Sequence, residues 1–287
     1  MIQGSRLKPS GLPGYLNDKN HCLVIGVLNI TPDSFSDGGL FNDEKSAIDH
    51  AKKLIEQGAD VIDVGGESTR PGATRIEITE EQKRVIPVIE ELTKLAIPVS
   101  IDTMRSETAK AAVQAGAIFI NDISGGLADE KMHEVVASLN VPYVLMHWRG
   151  HSTEMDDLAK YENVTKDVIS ELQTQVTKAI KAGIKKELIV IDPGLGFAKN
   201  PEQNWQILRE IKMLKELSLP LYVGASRKRF LTDYAIPAGS SKAQDRDFAT
   251  AVISTYSALN GAWAVRVHDV AASVQAVKLS KQLMEFS

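Results

Sequence analysis

One cysteine, Cys22, stands in the whole sequence, so no internal disulfide can staple the chain, which suits a reducing, cytoplasmic setting. Cys22 itself reads as a small buried hydrophobe at a strand start rather than a nucleophile. A basic surplus is missing as well: 33 Lys and Arg against 37 Asp and Glu leave a formal charge of −4. That balance argues against a nucleic-acid or anionic-membrane surface, so any anion site must be local. No apolar run approaches membrane-spanning length, and residues 1–20 carry no apolar core of the kind a signal peptide needs. There is no Walker-type phosphate loop, no G-x-G-x-x-G, and no His/Cys/Asp cluster at metal-ligand spacing. Nor does any composition shift or fixed-period repeat divide the 287 residues.

What the chain does contain is a strand that spills into a polar loop, repeated eight times. Val24-Ile25-Gly26-Val27-Leu28 has no charge, as expected of a strand buried on both faces, and it breaks at Asn29 into a Pro-, Asp-, Ser- and Gly-containing segment ending at Gly39. Strands are expected at about 23–29, 61–65, 99–103, 118–123, 143–147, 188–192, 221–224 and 262–267. Between and after them lie segments with apolar residues at helical spacing. These are 44–57, one from Thr79 to about Leu95, 107–115, 130–139, 164–182, one starting at Asn200-Pro201, 247–260, and Val270 onward. Thr79 with Gln82 makes a capping-box start, and Pro201 suits a first helical position. Eight such units in about 250 residues favour a closed (β/α)8 TIM barrel, an α/β single-domain fold, over an open doubly wound sheet. Residues 1–20 form an N-terminal lead and 21–287 the barrel.

In a barrel of this kind the strand C-termini converge on one face, where active sites form. Here those ends carry Asn29, Asp63, Asp102, Asn121 with Asp122, His147, Asp192, Ser226-Arg227-Lys228, and Arg266 with His268. Each Asp taken alone is more readily a helix cap or a strand-end turn, and His268 alone is as readily a packed core histidine. Eight strands all ending this way look like a ring built for a polar ligand. Arg266 and His268 are two apart, so they face one way and are placed to clamp one anion. Asp192 ends an apolar strand before Pro193-Gly194, where a carboxylate accepts a donor pair from a planar group, with Lys228 as positive counterpart. Thr31–Gly39 and Gly65–Ala73 read either as exposed turns or as two lids that close over substrate and exclude water. A divalent ion would enter only with phosphate oxygens, held at Asn29.

VLNITPDSFSDGG (Val27–Gly39) and GADVIDVGGESTRPGA (Gly58–Ala73) resemble the two signature segments of the dihydropteroate synthases, folate-pathway enzymes. The likeness runs on through SIDT (Ser100–Thr103), NDISGG (Asn121–Gly126), MHWRG (Met146–Gly150), IDPGLGFAK (Ile191–Lys199), SRKRF (Ser226–Phe230) and RVHD (Arg266–Asp269), covering nearly the whole chain in order. The resemblance implies a homodimeric transferase joining 6-hydroxymethyl-7,8-dihydropterin pyrophosphate to p-aminobenzoate, the pyrophosphate leaving with Mg2+. It implies that Asp102, Asn121, Asp192 and Lys228 hold the pterin, and that Asn29, Arg70, Arg266 and His268 hold the pyrophosphate, Asn29 with its metal. Asp102, Lys228, Arg266 and His268 would then carry the catalysis, Asp102 lying beneath the ring. Phe35, Thr69, Arg70 and Pro71 would shape the p-aminobenzoate site, with p-aminobenzoate binding well only once pyrophosphate is in place. Two positions depart from the pattern: Arg229 stands where many relatives carry Ser, and the loop Gly150–Tyr161 lacks their Gly-Thr-Pro. Two alternatives stand beside this reading. One is a barrel passing a methyl group from methyltetrahydrofolate to cobalamin, for which the chain has no D-x-H-x-x-G signature. The other is a catalytically silent pterin-binding paralogue.

Overall fold

Strands that are apolar on both faces must be covered on both, and a closed parallel sheet ringed by helices does this with no exposed edge. A computed structural model describes residues 6–31, 40–67, 75–151, 157–235, 237 and 240–285. The eight strands are β1 (Leu23–Asn29), β2 (Val61–Gly65), β3 (Val99–Asp102), β4 (Phe119–Asp122), β5 (Tyr143–Met146), β6 (Ile189–Asp192), β7 (Tyr222–Val223) and β8 (Ala264–Val267). Each is followed by a helix: α1 (Leu40–Glu56), α2 (Ile78–Lys94), α3 (Ser106–Gln114), α4 (Met132–Leu139), α5 (Val164–Lys181), α6 (Pro201–Arg209), α7 (Asp247–Leu259) and α8 (Val270–Glu285). All pairings are parallel in the order β6-β5-β4-β3-β2-β1-β8-β7, and a parallel bridge from Ile191 to Leu221 closes the ring. β7 is the shortest strand because Pro220 has no N–H to donate; its carbonyl instead accepts from the Ile191 N–H at 2.9 Å.

Alternation along each strand sorts the core into two layers. Val24, Leu28, Ile62, Val64, Val99, Ile101, Ile120 and Leu145 point outward into the helices. Leu23, Ile25, Val61, Phe119, Val144, Val190, Tyr222 and Ala264 point inward and fill the lower barrel, with Trp263 in edge contact with Phe119. The N-terminal lead belongs to this packing. A helical turn at Gly14–Asn17 inserts Leu16 into the barrel floor, and Lys19 and His21 bond the buried Asp60 ahead of β2. Burial works to raise the Asp60 carboxyl, but hydrogen bonds from His21, Lys19 and the Val24 N–H outweigh it and hold it below the usual range.

One local expectation changes. Thr79 and Gln82 form no capping box, because α2 starts at Ile78 behind Glu77 with no side-chain cap bond. Glu81 in its first turn is instead drawn inward to Arg105. A capping box does form at α6, where Asn200 and Gln203 satisfy each other's backbone N–H groups and Pro201 takes the first helical position.

Candidate active site

Above the apolar floor, the next inward positions on β2, β4, β6 and β8 are polar: Asp63, Asn121, Asp192 and Arg266. Register sets Asn29, Gly65, Asp102 and Asn121 in one row across β1 to β4. Asp63 and Ser100 lie side by side one step below, paired in register on β2 and β3. Asp63, fully buried, is the hub of this layer. It accepts from Ser100 Oγ at 2.6 Å, Asn121 Nδ2 at 3.0 Å and Arg266 Nε at 2.6 Å. The other end of the Arg266 guanidinium donates to Asp102 Oδ2 at 2.7 Å. Burial works against the Arg266 charge, and Asp102 and Asp63 more than offset it, so the guanidinium stays charged. Burial pushes the Asp102 carboxyl up to about 7, with Arg266 pulling against it.

Arg266 and His268 are held by different partners. Arg266 spends Nε and one amino group on two carboxylates, and β8 ends at Val267, so His268 sits on the following turn. Its Nδ1 lies 2.9 Å from Ser226 Oγ, which also accepts from the His268 backbone N–H at 3.0 Å. Asp102, for its part, is half of an ion pair. The hydroxyl of Ser226 and the carboxylate of Asp63 are what orient the two side chains.

On the opposite wall Asp192 is buried, with Oδ1 accepting from the Gly194 N–H at 2.7 Å. Gly224 lies beside the other oxygen: a Cβ there would stand 3.5 Å from Asp192 Oδ2. Burial raises the Asp192 carboxyl to about 6, while the Gly194 N–H and Lys228 pull it down. Lys228 does not bond Asp192 directly: its Nζ stands 3.8 Å over the Phe197 ring. Burial and the nearby Arg266 press its ammonium down to about 8, opposed by Asp192. Asn29 Oδ1 and Asp102 Oδ2 flank Gly65, both within 3.6 Å of where a Cβ would stand.

The ring of eight polar ends is therefore not uniform. Asp122 turns away from the mouth and braces the next loop, accepting from Ser124 Oγ, Tyr143 Oη and the Gly126 N–H. His147 also turns away, toward Glu171 and Lys199. Phe35, Thr69, Arg70 and Pro71 lie outside the described residues, as do 32–39 and 68–73 of the two expected lids. Beside Asp102, sequence reading passed over a clamp in which Glu81 accepts from Thr103 Oγ1, Arg105 and Thr108 Oγ1 at 2.7–2.8 Å. Arg105 also pairs with Glu67 at 2.7 Å. The signal available was Glu81 itself, a charge on the inward stripe of α2 beside Val85 and Val88.

The chain is 48% identical over 259 residues to the dihydropteroate synthase of Mycobacterium leprae, covering 89% of this chain and 91% of that protein. The solved dihydropteroate synthase of Xanthomonas albilineans with 4-aminobenzoic acid matches with a TM-score of 0.85 at 41% identity, over 92% of this chain and 94% of that one. The Anaplasma phagocytophilum enzyme with bound 6-hydroxymethylpterin-monophosphate matches at 0.83 and 38% identity, over 92% and 99%. Fold and mouth together define a (β/α)8-barrel transferase with its polar site at the strand C-termini. Residues 25–268 match the family of pterin binding enzymes, and the chain belongs to that family, among its dihydropteroate synthases of folate biosynthesis.

Proposed function

We propose that the chain condenses 6-hydroxymethyl-7,8-dihydropterin pyrophosphate with p-aminobenzoate to give 7,8-dihydropteroate and pyrophosphate. The observation that carries this reading is Asp192, a buried carboxylate with one oxygen fixed by Gly194 and the other beside Gly224. The guanidine-like edge of a pterin offers a pair of donors to such a group. Lys228 on the same wall meets ring acceptors, and Asp102 and Asn121 face the ring from β3 and β4. The amine nitrogen of p-aminobenzoate attacks the exocyclic methylene carbon, the C–O bond breaks with its electron pair leaving on pyrophosphate, and the amine proton passes to solvent. Such a departure needs positive charge around the leaving group rather than a general base, and Arg266 and His268 supply donors there with Arg70. Asp102 balances positive charge growing on the pterin.

Among the described residues no group of three or more His, Cys, Asp or Glu is placed to hold a metal. Mg2+ therefore fits as part of the substrate, carried by pyrophosphate oxygens, with the neutral oxygen of Asn29 as the protein's contribution. Bound there, the ion would neutralise charge on the departing pyrophosphate. Phe35, Thr69, Arg70 and Pro71 are assigned to the p-aminobenzoate side. A cytoplasmic location is supported by the lone, buried Cys22. We also assign a homodimer, built on the apolar stripe of Phe248, Val252, Tyr256 and Leu259 on α7 with Leu279 and Leu283 on α8, all exposed in one protomer. The test of function is pyrophosphate release from the pterin diphosphate with and without p-aminobenzoate. Release stimulated by p-aminobenzoate, with dihydropteroate formed in equal amount, is expected. Pterin binding with no turnover would mark a silent paralogue instead.

A further inference from the structure

Lys199 closes the loop between β6 and α6 and has no part in the assignments above. Its side chain is buried, and a buried ammonium needs an acceptor for each of its three protons. It has three, each at 3.0 Å: the Gly194 carbonyl, the Phe197 carbonyl and Nδ1 of His147. The third contact fixes the histidine. Nδ1 must be the bare lone pair, so the ring proton sits on Nε2, which donates to Glu171 Oε2 at 3.0 Å. Glu171 is gripped in turn by Arg149, which lies over the Tyr161 ring, and the Tyr161 hydroxyl donates to the Ala198 carbonyl. The charged groups facing Lys199 and His147 are thus Glu171 and Arg149 from outside, with Asp192 and Lys228 from the mouth.

The two carbonyls matter for what their residues hold. Gly194 donates its N–H to Asp192 Oδ1, and it sits at φ +67°, where a Cβ would meet the His147 carbonyl at 2.3 Å. Phe197 lays its ring under the Lys228 ammonium. A single buried amino group, its ammonium pressed down to about 7 by burial with Asp192 holding it up, therefore fastens the support of both pterin-facing groups on this wall. We propose that Lys199 is a positioning residue for pterin recognition, setting Asp192 through Gly194 and Lys228 through Phe197, with His147 as its dedicated acceptor. Burial lowers His147 to about 4, which keeps Nδ1 unprotonated at neutral pH.

The inference rests on the assignment of Asp192 and Lys228 to the pterin, and the experiment separates the two. Calorimetric affinity for 6-hydroxymethylpterin monophosphate and KM for both substrates are measured on K199M, H147L, H147N and D192N. K199M should weaken pterin binding by about tenfold or more, the scale of one lost charge-assisted hydrogen bond. Its KM for p-aminobenzoate should be unchanged, a split that general loosening of the barrel would not give. H147L should behave like K199M, while H147N, whose amide oxygen replaces Nδ1 as acceptor, should keep wild-type affinity. If K199M does not fold, the H147L and H147N pair decides. Wild-type pterin affinity in K199M or H147L, with D192N impaired, overturns the role of Lys199 and leaves the pocket standing. Wild-type affinity in D192N overturns the pocket assignment and this inference with it. H147N as weak as H147L overturns the acceptor role of His147.

Discussion

At the scale of single residues, burial decides which charges remain available. Asp192 has a carboxyl raised to about 6 by burial, so it is mostly ionised at neutral pH and only partly so a unit lower. Because the ionised form is the one that accepts a donor pair, pterin affinity should strengthen as pH rises through about 6 in the ligand-free protein. Asp192→Asn should cost about 1.5–3 kcal/mol of pterin binding and abolish that pH limb, both read by calorimetry across pH 5–8. Retained affinity with the limb intact would assign the titration elsewhere. Cys22 illustrates the opposite outcome. Its thiol is buried and pushed up to about 12, so it carries almost no thiolate at neutral pH. Native enzyme should resist thiol-specific alkylation for as long as it stays folded, and fast, inactivating modification would contradict this.

At the scale of elements, the site is held less by the strands than by what grips their ends. The Glu81 clamp ties the first turn of α2 to the residues just past β3, with Thr103 adjacent to Asp102. Removing one partner of a buried ion pair leaves the other charged and unsatisfied. Glu81→Ala should therefore destabilise the protein by about 3 kcal/mol, seen as a lower urea midpoint, since it takes one of two carboxylates from Arg105 and the acceptor from two threonine hydroxyls. Glu67 remains beside Arg105 and should soften the loss. An unchanged midpoint would mean that the clamp contributes nothing. On the other wall the loop after β6 is fixed by backbone carbonyls facing Lys199, which is why a glycine-rich segment can still aim a carboxylate.

At the scale of the whole molecule, the barrel is polar at its mouth and apolar at its floor, with Leu16 from the N-terminal lead part of the seal. One face of its outer ring remains apolar. Phe248 is 71% exposed, and its neighbours at helical spacing on α7 lie beside Leu279 and Leu283 of α8. A stable interface buries about 800 Å2 on each partner. Phe248→Glu combined with Leu279→Glu should convert a dimer to a monomer in sedimentation equilibrium while leaving the circular dichroism spectrum intact. A wild-type protein that sediments as a monomer would remove this assignment.

Much of this was legible in the residues alone. Eight apolar runs alternating with helical periodicity specify a barrel because period-two and period-3.6 patterns depend only on neighbours along the chain. The same locality exposed Asn29, Asp102, Asn121, Asp192 and Arg266 as strand-end groups. Sequence could not say which polar ends face inward, since a one-residue change of strand limit flips a side chain to the other face. Thus Asp122 and His147 joined the ring on paper and left it in space, while Asp63 became its hub. Nor could it foresee that Arg266 would bridge Asp63 and Asp102, 203 and 164 residues away, or that Lys199 would find its acceptor on His147, 52 residues back. Those pairings are made by closure of the barrel, which brings the ends of distant strands within hydrogen-bond reach, and only the tertiary structure decides them.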